Sequence, residues 1–253
     1  MIWFTSDLHL GHESVIKMQD RPFADVREMN NALIHNINEC VSGNDTLYIL
    51  GDISHHISAD ETNALIKRIH GRKHLLLGNH DVTGEPECCQ YDESLFESVG
   101  YYKKINAYNL NIIMMHFPML SWPKATAGSV MLHGHIHSGP AYNEADMKAG
   151  IRRFDVGVDA NTYYPVSIMQ VKQWAEKTPV SITSRENLYI PGVWTAVPVT
   201  LGKFAAENPD RKLVVYDSQN ENEEVKGFHQ DVFLQRKVID AHSIGDGVWS
   251  VTV

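Results

Sequence analysis

Asp7 and His9 follow a short apolar run at the start of this 253-residue chain, and four further polar clusters answer them: Gly51-Asp52, Gly78-Asn79-His80-Asp81, His116, and Gly134-His135-Ile136-His137. Asp7, His9, Asp52, Asn79, His116, His135 and His137 supply seven oxygen and nitrogen donors. Carboxylate and imidazole donors suit Mn²⁺, Fe or Zn²⁺. A carboxylate bridges two such ions well, and Asp52, lying between the other clusters, is the natural bridge. Two bridged ions sit roughly 3.5–4 Å apart, and such pairs displace groups at phosphorus. Bound water loses its proton near neutral pH, which supplies the nucleophile. His135 and His137 are two residues apart, so on an extended segment both point the same way. His80 is available as an acid, because an ordinary imidazole can protonate a departing alkoxide. Asp81 is expected to hold its ring through the other nitrogen.

Such donors need strands that stop at a common edge. Residues 2–5 predict a buried strand that ends at Asp7. Over 26–41 the apolar residues Met29, Leu33, Ile37 and Val41 recur at helical spacing, which predicts a helix. Residues 46–50, bounded by Gly43-Asn44-Asp45 and Gly51, predict a strand. A helix is expected over 60–70, with Ala64, Leu65 and Ile69 on its apolar face and Gly71 as its stop. Residues 74–77 predict a strand ending at Gly78. Alternation of near-continuous apolar strands with helices indicates an α/β architecture with parallel pairing. Ligands bind beyond the carboxyl ends of such strands, where Asp7, Asp52 and Asn79 lie. Further strands are predicted over 111–116, 128–133 and 154–159. Shorter loops join them, so this half is expected to be mixed or antiparallel. Trp122 is expected to pack in the interior, and His133 to pack or to support a ligand. His55, His56, His70 and His74 are expected to be surface or core residues.

The formal net charge is −9, which disfavours an extended nucleic acid as ligand. Locally, two dications outweigh the Asp7 and Asp52 carboxylates and a hydroxide, so a small phosphate ester or nucleotide is still drawn in. Three cysteines, two of them adjacent (Cys88-Cys89), make a poor disulfide framework and suggest a reducing compartment. That pair is expected to be two thiols on a helix or loop, since zinc sites space their cysteines and need more of them. Charge appears too early for a signal peptide, and no segment approaches the roughly 20 apolar residues of a membrane span. A cytoplasmic protein is expected. The pattern changes near Thr178-Pro179. Residues 1–179 are expected to form the catalytic domain, and 180–253 a small β-rich appendage with strands over 193–201, 212–216 and 248–253 and turn material over 217–224.

The five blocks Asp7-Leu8-His9, Gly51-Asp52, Gly78-Asn79-His80-Asp81, His116 and Gly134-His135-Ile136-His137 resemble, in order and spacing, the signature of calcineurin-like metallophosphoesterases, over roughly residues 1–175. Gly11-His12, Arg21-Pro22-Phe23, His116-Phe117-Pro118 with Trp122, and Val156-Gly157-Val158-Asp159-Ala160 look like a small bacterial and phage branch of that superfamily. The resemblance implies an αββα two-sheet sandwich around a dinuclear centre. It implies one metal held by Asp7, His9, His137 and the bridge Asp52, and a second held by Asp52, Asn79, His116 and His135. His80 takes the proton-donor role, with Asp81 as its partner. Manganese is favoured, with Fe, Zn²⁺ or Co²⁺ as alternatives. Many members carry an acidic or amide residue shortly after the bridging aspartate, whereas this chain reads Asp52-Ile53-Ser54-His55-His56.

His12 and Arg21 are candidate phosphate contacts, since Arg forks to phosphate oxygens, with capping and structural ion pairing as the alternatives. Asp159 either orients a ligand histidine or serves a turn. The leading function is hydrolysis of phosphate esters, diesters above all because His80 would protonate a poor leaving group, by attack of a metal-bound hydroxide. The alternatives are a phosphomonoesterase or nucleotide hydrolase, or a binding scaffold that keeps the fold without the chemistry. Neither the natural substrate nor the oligomeric state is written in the sequence.

Overall fold

The computed structural model describes residues 1–84, 88–179, 206, 212–217, 223–224, 240–245 and 248–252. The chain divides into two compact units, Met1–Ser184 and Arg185–Val253. In the first, β1 (Ile2–Thr5) leads to α1 (Glu13–Met18), α2 (Val26–Cys40), β2 (Thr46–Ile49), α3 (Ala59–Ile66) and β3 (Arg72–Leu76). Two short strands, β4 (Val82–Thr83) and β5 (Cys88–Cys89), form a small hairpin. Then come β6 (Ser98–Gly100), β7 (Tyr102–Ala107), β8 (Leu110–Met115), β9 (Val130–His133), α4 (Tyr142–Lys148), β10 (Arg153–Asp155), β11 (Val166–Ser167) and α5 (Ile168–Lys177).

These strands build two sheets. The first has the order β11-β1-β2-β3-β6, with β11 antiparallel to β1 and the other neighbours parallel. The second has the order β10-β9-β8-β7 and is mixed: β10, β9 and β8 are parallel, and β7 pairs antiparallel with β8. Strand alternation sorts the side chains. Ile2, Phe4, Tyr48, Leu50 and Leu76 point between the sheets and meet Ile112, Met114, Val130, Leu132 and Phe154. Trp3, Leu47, Ile49, Leu75 and Leu77 point the other way, onto Met29, Leu33, Ile34 and Ile37 of α2 and Ile66 at the end of α3. Ile113 and Met131 leave the far face of the second sheet and pack against Trp122, whose indole N–H donates to the Ser129 carbonyl at 3.3 Å. Ile168, Val171 and Ala175 of α5 join the inter-sheet core.

Local chemistry sets the helix ends. The Asp25 side chain accepts from the Glu28 N–H at the start of α2. Ser58 and Glu61 form a reciprocal capping box at α3, which satisfies two backbone donors that the first turn would otherwise orphan. α3 is shorter than the expected 60–70 span, and Gly71 (φ +90°) turns the chain into β3. Of the expected apolar face, Leu65 packs on the core and Ile69 is buried, but Ala64 is exposed and Thr62 and Ile66 are buried in its stead. Thr62 can take a core position because its hydroxyl bonds Ser54 Oγ at 2.7 Å and the Ser58 carbonyl at 3.0 Å. Cys88 and Cys89 lie in the small hairpin and not on a helix or loop, and both thiols are free.

In the second unit, β12 (Lys212–Asp217), β13 (Glu223–Glu224), β14 (Asp240–Gly245) and β15 (Val248–Thr252) form a sheet of order β13-β12-β15-β14. β12 and β15 are parallel, and the outer pairs are antiparallel. The expected strand at 193–201 lies outside the described residues, as does the centre of the expected turn, 218–222. The ends of that turn, Asp217 on one side and Glu223 and Glu224 on the other, are paired strand residues. Among the described residues no helix is long and apolar enough to cross a membrane.

Phe4 is fully buried and stacks on Tyr48 at 5.8 Å in the inter-sheet core. Phe4→Ala is expected to cost about 3–5 kcal/mol in urea unfolding of the first unit, whereas Met18→Ala, at a residue 68% exposed, should stay within about 0.5 kcal/mol. Equal losses would show that this core is not what holds the sandwich.

Candidate metal centre

Parallel pairing brings the carboxyl ends of β1, β2 and β3 to one edge of the first sheet, and those of β8, β9 and β10 to one edge of the second. The two edges are tied together: Ser6 bridges Gly157, the Val158 N–H donates to the Ser6 carbonyl, and a His116 ring N–H donates to the Leu50 carbonyl. Beyond the strands the loops continue to pair, with His9 N donating to Asp52 O at 3.0 Å and Leu10 N to Ile53 O at 2.9 Å. Asp7, His9, Asp52, His135 and His137 all have φ between 46° and 72°. This left-handed region is costly for residues with a side chain and persists only where the surroundings enforce it. Here it turns each side chain off its strand axis into the crevice. Gly78 and Gly134 make the approach possible: a Cβ on Gly78 would collide with the Asp52 carboxylate, and one on Gly134 with Ser6 and Asp7.

The seven sequence-predicted donors come together. Asp7, His9 and His137 form one group, and Asp52, His116 and His135 another, each with its donor atoms within 4.8 Å of one another. Asp52 Oδ2 lies between the groups, 3.6 Å from His9 Nε2 and 3.4 Å from His116 Nε2. Asn79 Oδ1 is 3.2 Å from His116 Nε2. His80 stands at the rim with its side chain 30% exposed, its Nε2 3.9 Å from Asp52 Oδ2 and its backbone N–H on Asp52 Oδ1 at 2.9 Å.

Hydrogen bonds at the backs of the rings fix which nitrogen faces inward. His116 Nδ1 meets the Leu50 carbonyl at 2.7 Å, and His137 Nδ1 meets Asp159 Oδ2 at 2.8 Å. Carbonyl and carboxylate oxygens only accept, so both Nδ1 atoms carry hydrogen and both Nε2 atoms face the crevice. Burial drives the Asp7 carboxyl up to about 7, against the attraction of His116 and His137. Burial pushes Asp52 up as well, but the hydrogen bond and charge of His116 prevail and hold it at about 2. His116 itself is lifted to about 9: burial opposes this, and Asp52 and Asp7 overcome it. His137 is raised through Asp159 despite burial, and burial takes His9 down to about 2. His9 Nε2 and His137 Nε2 are 3.1 Å apart, where two lone pairs repel unless a proton or cation lies between them. Buried carboxylates, inward lone pairs and a neutral amide oxygen fit divalent cations.

Two expectations are corrected. Asp81 does not hold the His80 ring. Its buried carboxylate accepts from the N–H groups of Gly78 (2.8 Å), Asp52 (2.7 Å) and Ile53 (2.9 Å) and from the Tyr91 hydroxyl (2.9 Å). Those four donors occupy it and lock the β2 and β3 loops in register. Arg21 is no phosphate contact. It is 3% exposed, forks onto Asp159 through two 2.8 Å bonds, and donates to the Asp7 and Leu8 carbonyls. Arg21 therefore braces Asp159, which in turn holds the His137 ring by its Nδ1. His12 is buried against His9 and not open to solvent. His133 packs, with Nδ1 on the Gly134 carbonyl at 2.9 Å. Reading the sequence missed His55, whose ring lies 4.2 Å from that of His80, and Phe117, 4.6 Å from His135. Their only signal was adjacency to Asp52 and His116. Tyr91 carried no signal, because its role comes from a tertiary contact.

Asp81→Asn keeps the shape but turns an acceptor into a donor facing donors. It is expected to cost about 1–3 kcal/mol for each N–H left unpaired, measured by urea unfolding. A change below about 0.5 kcal/mol would show that the loops need no such clamp.

A family model described as calcineurin-like phosphoesterase matches residues 1–215. An uncharacterized protein of Methanocaldococcus jannaschii is 31% identical over 180 residues, spanning 71% of this chain and 93% of its own. The gene 66 protein of Mycobacterium phage L5 is 30% identical over 185 residues, spanning 62% of this chain and 86% of its own. Among solved structures, a protein of unknown function from Aquifex aeolicus superposes with a TM-score of 0.54 at 25% identity, covering 68% of this chain and 98% of that one. The family match takes in both sheets and every donor of the crevice, and the chain belongs to the calcineurin-like phosphoesterases.

Proposed function

We propose that this phosphoesterase hydrolyses phosphate diesters at a dinuclear centre, with one cation on Asp7, His9, His137 and Asp52 and a second on Asp52, Asn79, His116 and His135. The observation that carries the reading is the position of Asp52 Oδ2, between His9 Nε2 at 3.6 Å and His116 Nε2 at 3.4 Å. A carboxylate in that position would be shared by both groups of residues that would hold the cations. When bound, the cations would polarise the phosphoryl oxygens and supply a nucleophile from water near neutral pH. Manganese is the first metal to test, with Fe, Zn²⁺ and Co²⁺ as alternatives, since all accept this donor set.

The chain's own residues do the rest. Leu50 and Asp159 keep the His116 and His137 lone pairs inward. Asp81 keeps Asp52 registered against Asn79. His80 lies beside the bridge and partly open to solvent, so its ring is placed to give a proton to the oxygen of a departing alkoxide. A diester with an alkyl leaving group needs that proton, whereas a nitrophenolate leaves without it. All these residues lie in the unit Met1–Ser184, so the chemistry is assigned to 1–179, and 180–253 is proposed to select the substrate or partner.

Metal-stripped protein should gain bis-p-nitrophenyl phosphate hydrolysis on adding Mn²⁺, and Asp52→Asn should abolish it. No turnover of diester or monoester with Mn²⁺, Fe²⁺, Zn²⁺ or Co²⁺ would leave a binding scaffold as the better reading. His80→Ala should slow an alkyl diester by about 10²–10⁴-fold and an aryl diester much less. Equal loss on both would remove His80 from the leaving-group side.

Cation uptake should also release protons. His116, lifted to about 9, is protonated at pH 7 in the cation-free protein, and Asp159 shifts His137 in the same direction. His116 must lose that proton to ligate. Affinity should therefore rise from pH 7 towards 9, which calorimetry in buffers of different ionisation enthalpy can count. Uptake without proton release at pH 7 would contradict the assignment of His116.

A further inference from the structure

His12 sits behind His9, away from the bridging carboxylate. It is the N-cap residue of α1, yet its side chain makes no capping bond. The ring is 7% exposed and turned inward, with Nδ1 3.3 Å from His9 Nδ1 and Nε2 2.8 Å from Ser14 Oγ. A neutral imidazole that ligates through Nε2 must carry its hydrogen on Nδ1. That hydrogen needs an acceptor at the back of His9, where His116 has the Leu50 carbonyl and His137 has the Asp159 carboxylate. The back of His9 meets His12 Nδ1 instead.

We propose that His12 is the positioning residue of His9, accepting its Nδ1–H and so fixing both the tautomer and the ring orientation that His9 presents to a cation. This rests on the ligand assignment above. The tautomers then follow in sequence. His9 Nδ1–H donates to His12 Nδ1, so His12 carries its own hydrogen on Nε2 and donates it to Ser14 Oγ. Both nitrogens of His12 are thereby committed. His12, His55 and His56 bring donor atoms within 4.8 Å of one another, but His12 has no lone pair left to share, so this group is not a third cation site. An imidazole nitrogen polarises an N–H less than a carboxylate does. His9 is thus held more weakly than His137, and the Asp7–His9–His137 cation depends on a neutral relay on one side and a charged brace on the other.

The test is Mn²⁺ binding to the whole chain by equilibrium dialysis. His12→Ala should weaken one of two equivalents by about 10–100-fold and leave the other in place. His12→Gln keeps a side-chain carbonyl that can accept from His9 and should recover most of that loss. Ser14→Ala, at an exposed position, should give a smaller loss on the same equivalent and covers the case in which His12→Ala does not fold. The proposal is overturned if no variant weakens binding, if both equivalents weaken together, or if His12→Gln is as weak as His12→Ala, which would mean that the ring only packs. If the native chain binds a single equivalent, the two-cation reading fails. The relay is then judged by the same Ala and Gln comparison on that equivalent. No Mn²⁺ binding at all would sink both.

Discussion

A buried carboxylate must find donors, and at the crevice this protein supplies them from the backbone of neighbouring loops. Asp81 takes three N–H groups and a tyrosine hydroxyl. Asp7 takes the His135 N–H on both oxygens at 3.0 Å. Asp155 takes the Gly157 N–H at 2.7 Å and the Ser138 hydroxyl at 2.5 Å. The Gly78 and Gly157 bonds are local, but those from Asp81 to Asp52 and Ile53, from Asp7 to His135 and from Asp155 to Ser138 join loops distant in sequence and tie the end of β2 to β3, of β1 to β9 and of β9 to β10. Charge-assisted bonds are stronger than neutral ones, and burial raises the cost of breaking them. The frame can therefore hold Asp7, His9, Asp52, His135 and His137 in left-handed backbone that no isolated loop would keep.

That frame leaves a deficit of positive charge at its centre. Asp52 keeps its charge, and without a cation His116 retains a proton well above the usual imidazole range to match it. Proton and metal compete for the same place. The backs of the rings are graded: a carbonyl for His116, a carboxylate braced by Arg21 for His137, and an imidazole for His9. Acceptors of different strength tune ligands of one chemical type, so under the proposed two-cation reading the two groups would not hold their ions equally.

His80 and His55 bring a second feature to the rim. The rings of His9, His12, His55, His56 and His80 form a connected set, with centroids 3.8–6.5 Å apart between neighbours. The set continues outward from one cation group and joins it to the side where a leaving group would depart. Two of its members, His55 and His56, come from the Ser54-His55-His56 stretch that follows Asp52.

The sequence by itself determined β1, β2, β3, β8 and β9, the parallel α/β order of the first three and seven candidate donors, but not β6, β7 or β11. Short apolar runs favour burial, and parallel pairing sends the carboxyl ends of β1, β2 and β3 to one edge and those of β8 and β9 to another; packing the two sheets together then brings the polar residues past them to one crevice. Left to the tertiary structure were the partners at the backs of the ligands and the faces of short helices. Arg21 looked like an anion binder because its type suits phosphate, yet it is spent on Asp159, a residue 138 positions away. Asp81 looked like the partner of His80 because it is adjacent, yet adjacent side chains on a loop diverge, and its oxygens went to backbone brought in by β2. Thr62 took a core position that apolar spacing gave to Ala64, because Ser54 was there to satisfy its hydroxyl. Hydrogen-bond partners are settled by which loops end up side by side, and a chain read one residue at a time does not contain that information.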